Sequence, residues 1–112
     1  MNVAELQPNA LRAAALLKAM SNPSRLMVLC QLSEGEKSVG ELERIVGLSQ
    51  SALSQHLALL RRQNIVTARR AGQAIFYSLA GMEAPAVLAT LYDVFCRKDS
   101  RGSLRRLGAK SA

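Results

Sequence analysis

The sequence predicts a mostly α fold with a small β-hairpin, a winged helix-turn-helix of about five helices and a two-stranded wing, and three observations predict it. Ser38 with Glu41 three residues later makes a capping box for a short helix, which Gly47 stops after Ile45 and Val46. A second helix opens at Ser49; on a 3.6-residue wheel Leu53, Leu57 and Leu60 share one stripe while Ser51, Ser54, Gln55 and Arg62 lie around the opposite side. Two short alternating segments then follow, and residues 61–70 carry Arg61, Arg62, Arg69 and Arg70 with no acid among them. One face of the second helix is core, and the other is polar and flat enough to enter a DNA major groove.

The remaining elements follow in chain order. Asn9 to Met20 is rich in Ala and Leu with only Arg12 and Lys18 charged, so its wide apolar face reads as a dimerisation helix. Ser21-Asn22-Pro23 sets an N-cap before a first-turn proline, and Arg25 to Leu32 continues as a mostly apolar helix that Ser33 to Lys37 ends. The helix-turn-helix closes near Gln63-Asn64. Ile65 to Arg70 and Ala74 to Leu79 form a hairpin around Ala71-Gly72-Gln73, with Arg69 and Arg70 flanking its tip. A last helix runs from about Met82, with Pro85 in its first turn, to about Cys96, and Leu88, Leu91, Tyr92 and Phe95 form its apolar stripe. Residues 97–112 are basic and aperiodic, so they are read as a disordered tail beyond a single domain of residues 1–96.

The net charge of +7 is unevenly placed. Residues 1–60 carry five basic and five acidic groups, whereas the hairpin region holds four arginines and the tail six basic residues against Asp99. Charge gathered on the wing and tail suits phosphate neutralisation better than an evenly solvated surface would. No apolar run reaches the length of a membrane span and the N-terminus lacks a secretory pattern, so no membrane partner and a cytoplasmic location are expected. With one His and no Cys-x-x-Cys, P-loop or paired-carboxylate site, no enzyme constellation and no cofactor are expected. His56 lies nearer the leucine stripe than the polar face, which favours packing over ligation.

In that element order the chain resembles the ArsR family of small homodimeric bacterial repressors. The resemblance is carried by Leu16-Leu17-Lys18-Ala19-Met20-Ser21-Asn22-Pro23-Ser24-Arg25, Leu48-Ser49-Gln50-Ser51-Ala52-Leu53-Ser54-Gln55-His56-Leu57 and Gly72-Gln73-Ala74-Ile75-Phe76-Tyr77-Ser78-Leu79. It implies a homodimer on double-stranded DNA bearing an inverted-repeat operator. The contacting residues expected are Ser49, Gln50, Ser51, Ser54, Gln55, Arg62, Arg69, Arg70 and Gln73. Gln73 departs from the many relatives with an arginine after the wing glycine, which shifts the wing-tip contact toward Arg69 and Arg70.

The resemblance leaves the inducer open, but metal ligation can be read from the residues. Where the family's soft-metal sensors carry a Cys-x-Cys pair this chain has Val39-Gly40-Glu41-Leu42-Glu43, and the last helix offers Glu83 and Asp93 without a His, so no metal site is expected. Cys30 and Cys96, taken alone, read as small apolar residues. Their placement, one in the second helix and one at the end of the last, resembles the sulfide- and persulfide-sensing branch, the BigR/SqrR type, and implies a dithiol pair within one subunit with reactive sulfur species as inducer. The chemistry calls for a low-pKa thiolate that takes up sulfane sulfur and a partner that closes a bridge. A peroxide sensor using the same residues, and a constitutive architectural DNA-binding protein whose cysteines only pack, are the alternatives.

Overall fold

Four short polar side chains set where helices begin. In the computed structural model, which describes residues 1–96, Asn2, Asn22, Ser38 and Ser49 each sit in extended backbone and accept a hydrogen bond from a first-turn N–H. They open α1 (Val3–Leu6), α3 (Pro23–Leu32), α4 (Val39–Val46) and α5 (Gln50–Arg62). Asn22 Oδ1 accepts from the Arg25 N–H at 2.9 Å, with Pro23 fitting the first helical position, where no amide hydrogen is needed. The capping box is complete: Ser38 Oγ accepts from the Glu41 N–H at 3.1 Å, and the Glu41 carboxylate accepts from the Ser38 N–H at 2.8 Å. Gly47, at φ 78°, supplies the left-handed stop that an L side chain would strain.

A 3₁₀ turn (Gln7–Asn9) links α1 to α2 (Ala10–Met20), and Arg25 Nε donates to the Ala19 carbonyl at 2.7 Å, tying α3 to the end of α2. The turn of helix before Asn9 was not expected, because four residues are too few to show a period. The last helix, α6 (Glu83–Phe95), has Met82 and Cys96 as its caps, as its pattern suggested.

The expected two-stranded wing needs correcting to a three-stranded antiparallel sheet, β1 (Lys37–Ser38), β2 (Val66–Ala71) and β3 (Ala74–Leu79), in the order β1-β3-β2. Lys37 and Ser38 pair with Tyr77 and Phe76, so the segment between α3 and α4 supplies an edge strand. Ala71 pairs with Ala74, which leaves a loop of only Gly72 and Gln73 where three residues were expected; Gly72 takes φ 64° there. Ile65 precedes the strand proper, its carbonyl accepting from the Ala80 N–H at 2.8 Å.

A single core joins these elements. Val28, Leu29 and Leu32 of α3, Leu42 of α4 and the leucine stripe of α5 meet Met20, Val66 and Leu88. The apolar stripe of α6 divides: Leu88 is buried and Leu91 packs partly against the core, but Tyr92 and Phe95 are 62% and 65% exposed. Leu11 and Leu17 of α2 are exposed as well. Among the described residues no helix is long and apolar enough to cross a membrane. The basic tail, expected to be disordered, lies outside the described residues.

Candidate functional site

Burial of Leu53, Leu57 and Leu60 fixes the rotation of α5 and so decides which of its polar residues face outward. Ser51, Ser54 and Gln55 are exposed, as the wheel requires. Ser49 is the N-cap, its hydroxyl oxygen accepting from the Ala52 N–H at 3.1 Å, which leaves its O–H to donate outward. His56 is half-buried at the flank of the helix, in keeping with packing.

Between α4, α5 and the wing opens a groove of about 880 Å³, lined among others by Gln50, Ser54, Arg61, Arg62, Gln73 and Ile75. Four expected contact residues, Gln50, Ser54, Arg62 and Gln73, therefore converge on one concavity, while Ser51 and Gln55 lie outside its lining on the exposed face of the helix. Arg61 was missed. The signal was available, since Arg61 follows Ser54 by two helical turns and shares its side.

The two wing arginines, grouped together by sequence, stand on opposite faces of the sheet. Arg70 pairs with Ile75, which lines the groove, whereas Arg69 pairs with Phe76 on the other face, because successive strand residues alternate. The Arg69 guanidinium lies 4.8 Å from the Phe76 ring centroid, and its Nε and Nη2 donate to Oε2 and Oε1 of Glu36 at 2.9 and 2.7 Å. That bidentate bond holds the Glu36 carboxyl below the usual carboxylate range.

The two thiols stand on helices that are distant in sequence but pack against each other, α3 and α6. Cys30, near the end of α3, is half-buried and packs on the core; Cys96 caps α6, its N–H donating to the Tyr92 carbonyl at 2.8 Å, and is exposed. Both are free thiols. Burial pushes the Cys30 thiol above its ordinary pKa, and negative charge on Cys96 pushes it further in the same direction. The low-pKa thiolate expected of a first attacker is thus not Cys30, because partial burial disfavours its charged form. Of the acids expected to be insufficient for a metal, Glu83 instead pairs with Arg12 at 3.6 Å, and among the described residues no group of three or more His, Cys, Asp or Glu gathers to hold an ion.

Residues 22–68 match the bacterial regulatory protein, arsR family. The chain is 47% identical over 97 residues to the transcriptional activator HlyU of Vibrio cholerae, covering 87% of this chain and 90% of that one. The structure of reduced HlyU from that organism superposes with a TM-score of 0.79 at 47% identity, over 83% of this chain and 98% of the other. The transcriptional repressor BigR of Xylella fastidiosa superposes with a TM-score of 0.82 at 44% identity, covering 88% and 100%. A homodimeric winged helix-turn-helix DNA-binding domain from Mycobacterium bovis is more distant, with a TM-score of 0.70 at 29% identity over 80% and 83%.

Proposed function

The chain belongs to the ArsR family of bacterial regulatory proteins and is a transcriptional regulator, not an enzyme; from that premise we propose that it is a homodimeric repressor that holds an inverted-repeat operator while Cys30 and Cys96 are free thiols and releases it when reactive sulfur bridges them. The observation that carries the switch is that α3, which holds Cys30, packs against α6, which ends at Cys96, although the two cysteines are far apart in sequence. The relative from Xylella is a repressor, and the Vibrio relative has been described in a reduced form, which fits a thiol-responsive lineage.

Exposed Cys96 meets the inducer first. Its thiolate attacks the outer sulfur of a persulfide R–S–SH, forming Cys96–S–SH and expelling RS⁻ as the R–S–SH bond breaks. The Cys30 thiol then loses its proton to solvent and attacks the Cys96 Sγ, forming the Cys30–Cys96 disulfide as the Sγ–SH bond breaks and HS⁻ leaves. Two thiols are oxidised by two electrons and one sulfane sulfur is reduced to sulfide. A second equivalent of persulfide loads Cys30 as Cys30–S–SH with loss of RS⁻; its terminal sulfur then attacks the Cys96 Sγ and expels HS⁻, giving a trisulfide with a longer span.

Such a bridge ties α3 to the end of α6. Helix α3 leads through β1 into the reading unit, and α6 carries Tyr92 and Phe95, which with Leu11 and Leu17 make an apolar surface suited to a second copy. Two reading helices must sit about one DNA turn apart, roughly 34 Å, to engage both half-sites, so a shift between α3 and the dimer helix lowers operator affinity. On each subunit Gln50, Ser51, Ser54 and Gln55 address the major groove, with Arg62, Arg69, Arg70 and Gln73 on phosphates or the minor groove.

The test is a binding titration of full-length protein on duplex DNA from upstream of its own gene, in reduced, persulfide-treated and peroxide-treated states. Persulfide should release the DNA, dithiothreitol should restore binding, and Cys30→Ser and Cys96→Ser should stay bound under persulfide. Normal release of both mutants would overturn the dithiol mechanism. Equal release by peroxide would make the protein a general thiol-oxidant sensor, and no release by either would leave an architectural DNA-binding protein with packing cysteines.

A further inference from the structure

The contact between Glu36 and Arg69 has no counterpart in the reading of the wing as a set of free arginines. Glu36 precedes edge strand β1 and Arg69 lies on the opposite edge strand β2, so their bond reaches across β3 over Phe76. The carboxylate takes the Nε–H and one Nη2–H with its two oxygens, the geometry in which a DNA phosphate grips arginine. Both side chains remain open to solvent, 56% exposed for Arg69 and 37% for Glu36, so an approaching phosphate can reach the pair. Lys37, next in sequence, lies 3.9 Å from Glu34 and leaves Glu36 to Arg69 as its bidentate partner.

We propose that Glu36 is an internal stand-in for a DNA phosphate: it occupies Arg69 in the free protein and sets how tightly the wing binds DNA, because a backbone phosphate must displace it. The proposal rests on the DNA-binding reading above. An exposed ion pair is weak enough to be exchanged for a phosphate. Until that exchange, Arg69 contributes no net charge to the wing, and the displaced carboxylate then takes up a cation that offsets part of the counterion release from the DNA. Strand alternation gives the arrangement its asymmetry: Arg70, on the groove side, is not held by Glu36, so only one of the two adjacent arginines is restrained.

The proposal is tested with a random-sequence duplex of about 30 base pairs, since a backbone contact needs no operator. Full-length wild type, Glu36→Gln, Arg69→Ala and the double variant are titrated by fluorescence anisotropy across a salt series, with thermal melts run alongside. Glu36→Gln keeps the shape and removes the charge, so it should bind about two- to fivefold more tightly near 0.1 M salt. Its log K against log salt should steepen by up to about 0.9. Arg69→Ala should erase that gain. Unchanged or weaker binding by Glu36→Gln, with or without a lowered Tm, would overturn the proposal and make the pair a brace for the wing. A gain that persists beside Arg69→Ala would overturn it in favour of general charge repulsion. Failure of wild type and Glu36→Gln alike to bind any duplex would instead overturn the DNA-binding reading, and the role of Glu36 with it.

Discussion

Gln55 and Arg70 illustrate two kinds of contact that one surface can make. Gln55 is exposed on α5 and can present its amide to a base edge, whereas Arg70 stands on the groove side of the wing as a fixed charge. Gln55→Ala should lower discrimination between operator and random duplex by about 1–3 kcal/mol, the worth of a good bidentate base contact. Arg70→Ala should weaken both duplexes alike and reduce the salt slope by about 1. Competition titrations at several salt concentrations check both, and equal sequence-independent losses would refute the division. The thiols differ just as sharply. Burial raises the Cys30 pKa and Cys96 adds to the shift, so at neutral pH iodoacetamide should modify Cys96 first. In Cys96→Ser the like charge is gone, the Cys30 pKa falls toward its ordinary value, and Cys30 alkylation at a given pH should quicken. Peptide mass spectrometry over a pH series reads both effects.

At the scale of elements, the capping box of α4 holds the entrance to the reading unit. Ser38 caps α4 and also pairs with Phe76 in the sheet, so it couples the helix start to the wing's base. Ser38→Ala should cost about 1 kcal/mol of stability in urea melts. The Glu41 carboxyl is held below its usual range chiefly by the Ser38 backbone N–H. A lowered folded pKa means that its contribution is complete above the unfolded value of about 4.3 and is lost as pH falls through the lower folded value. The stability gap between wild type and Glu41→Gln should therefore be constant near neutrality and shrink as pH is taken down through that acidic window. A gap independent of pH would show that the carboxylate charge is not what the cap uses.

For the whole molecule the deciding feature is apolar surface that one copy leaves uncovered. Leu11, Leu17, Tyr92 and Phe95 are exposed on α2 and α6, helices from the first and last parts of the described chain. Leu91 shares the α6 stripe but packs partly against its own core, so Leu91→Glu strikes folding and assembly together. Phe95→Glu is the cleaner probe: it should shift sedimentation at micromolar concentration from dimer to monomer and abolish operator binding with little loss of helicity. A wild-type protein that sediments as a monomer at that concentration would refute the dimer.

Where the causes were local, the amino-acid sequence by itself determined the result. Asn22, Ser38, Ser49 and Gly47 act within one helical turn of their own backbone, and the Leu53, Leu57 and Leu60 stripe needs only the period of 3.6, so the limits and buried face of the reading unit were legible before any contact was known. The proposed pairing of Cys30 with Cys96 came only from family resemblance, since spacing along the chain carries no distance in space. Tertiary structure alone decided that Lys37 and Ser38 become a strand, because two residues have no alternation until β3 offers them a partner. It likewise sent Arg69 to Glu36 and left Arg70 on the groove side, a division set by strand register. It also left Tyr92 and Phe95 exposed while burying Leu88, because a helix wheel shows which residues share a face but not how much of that face its neighbours cover.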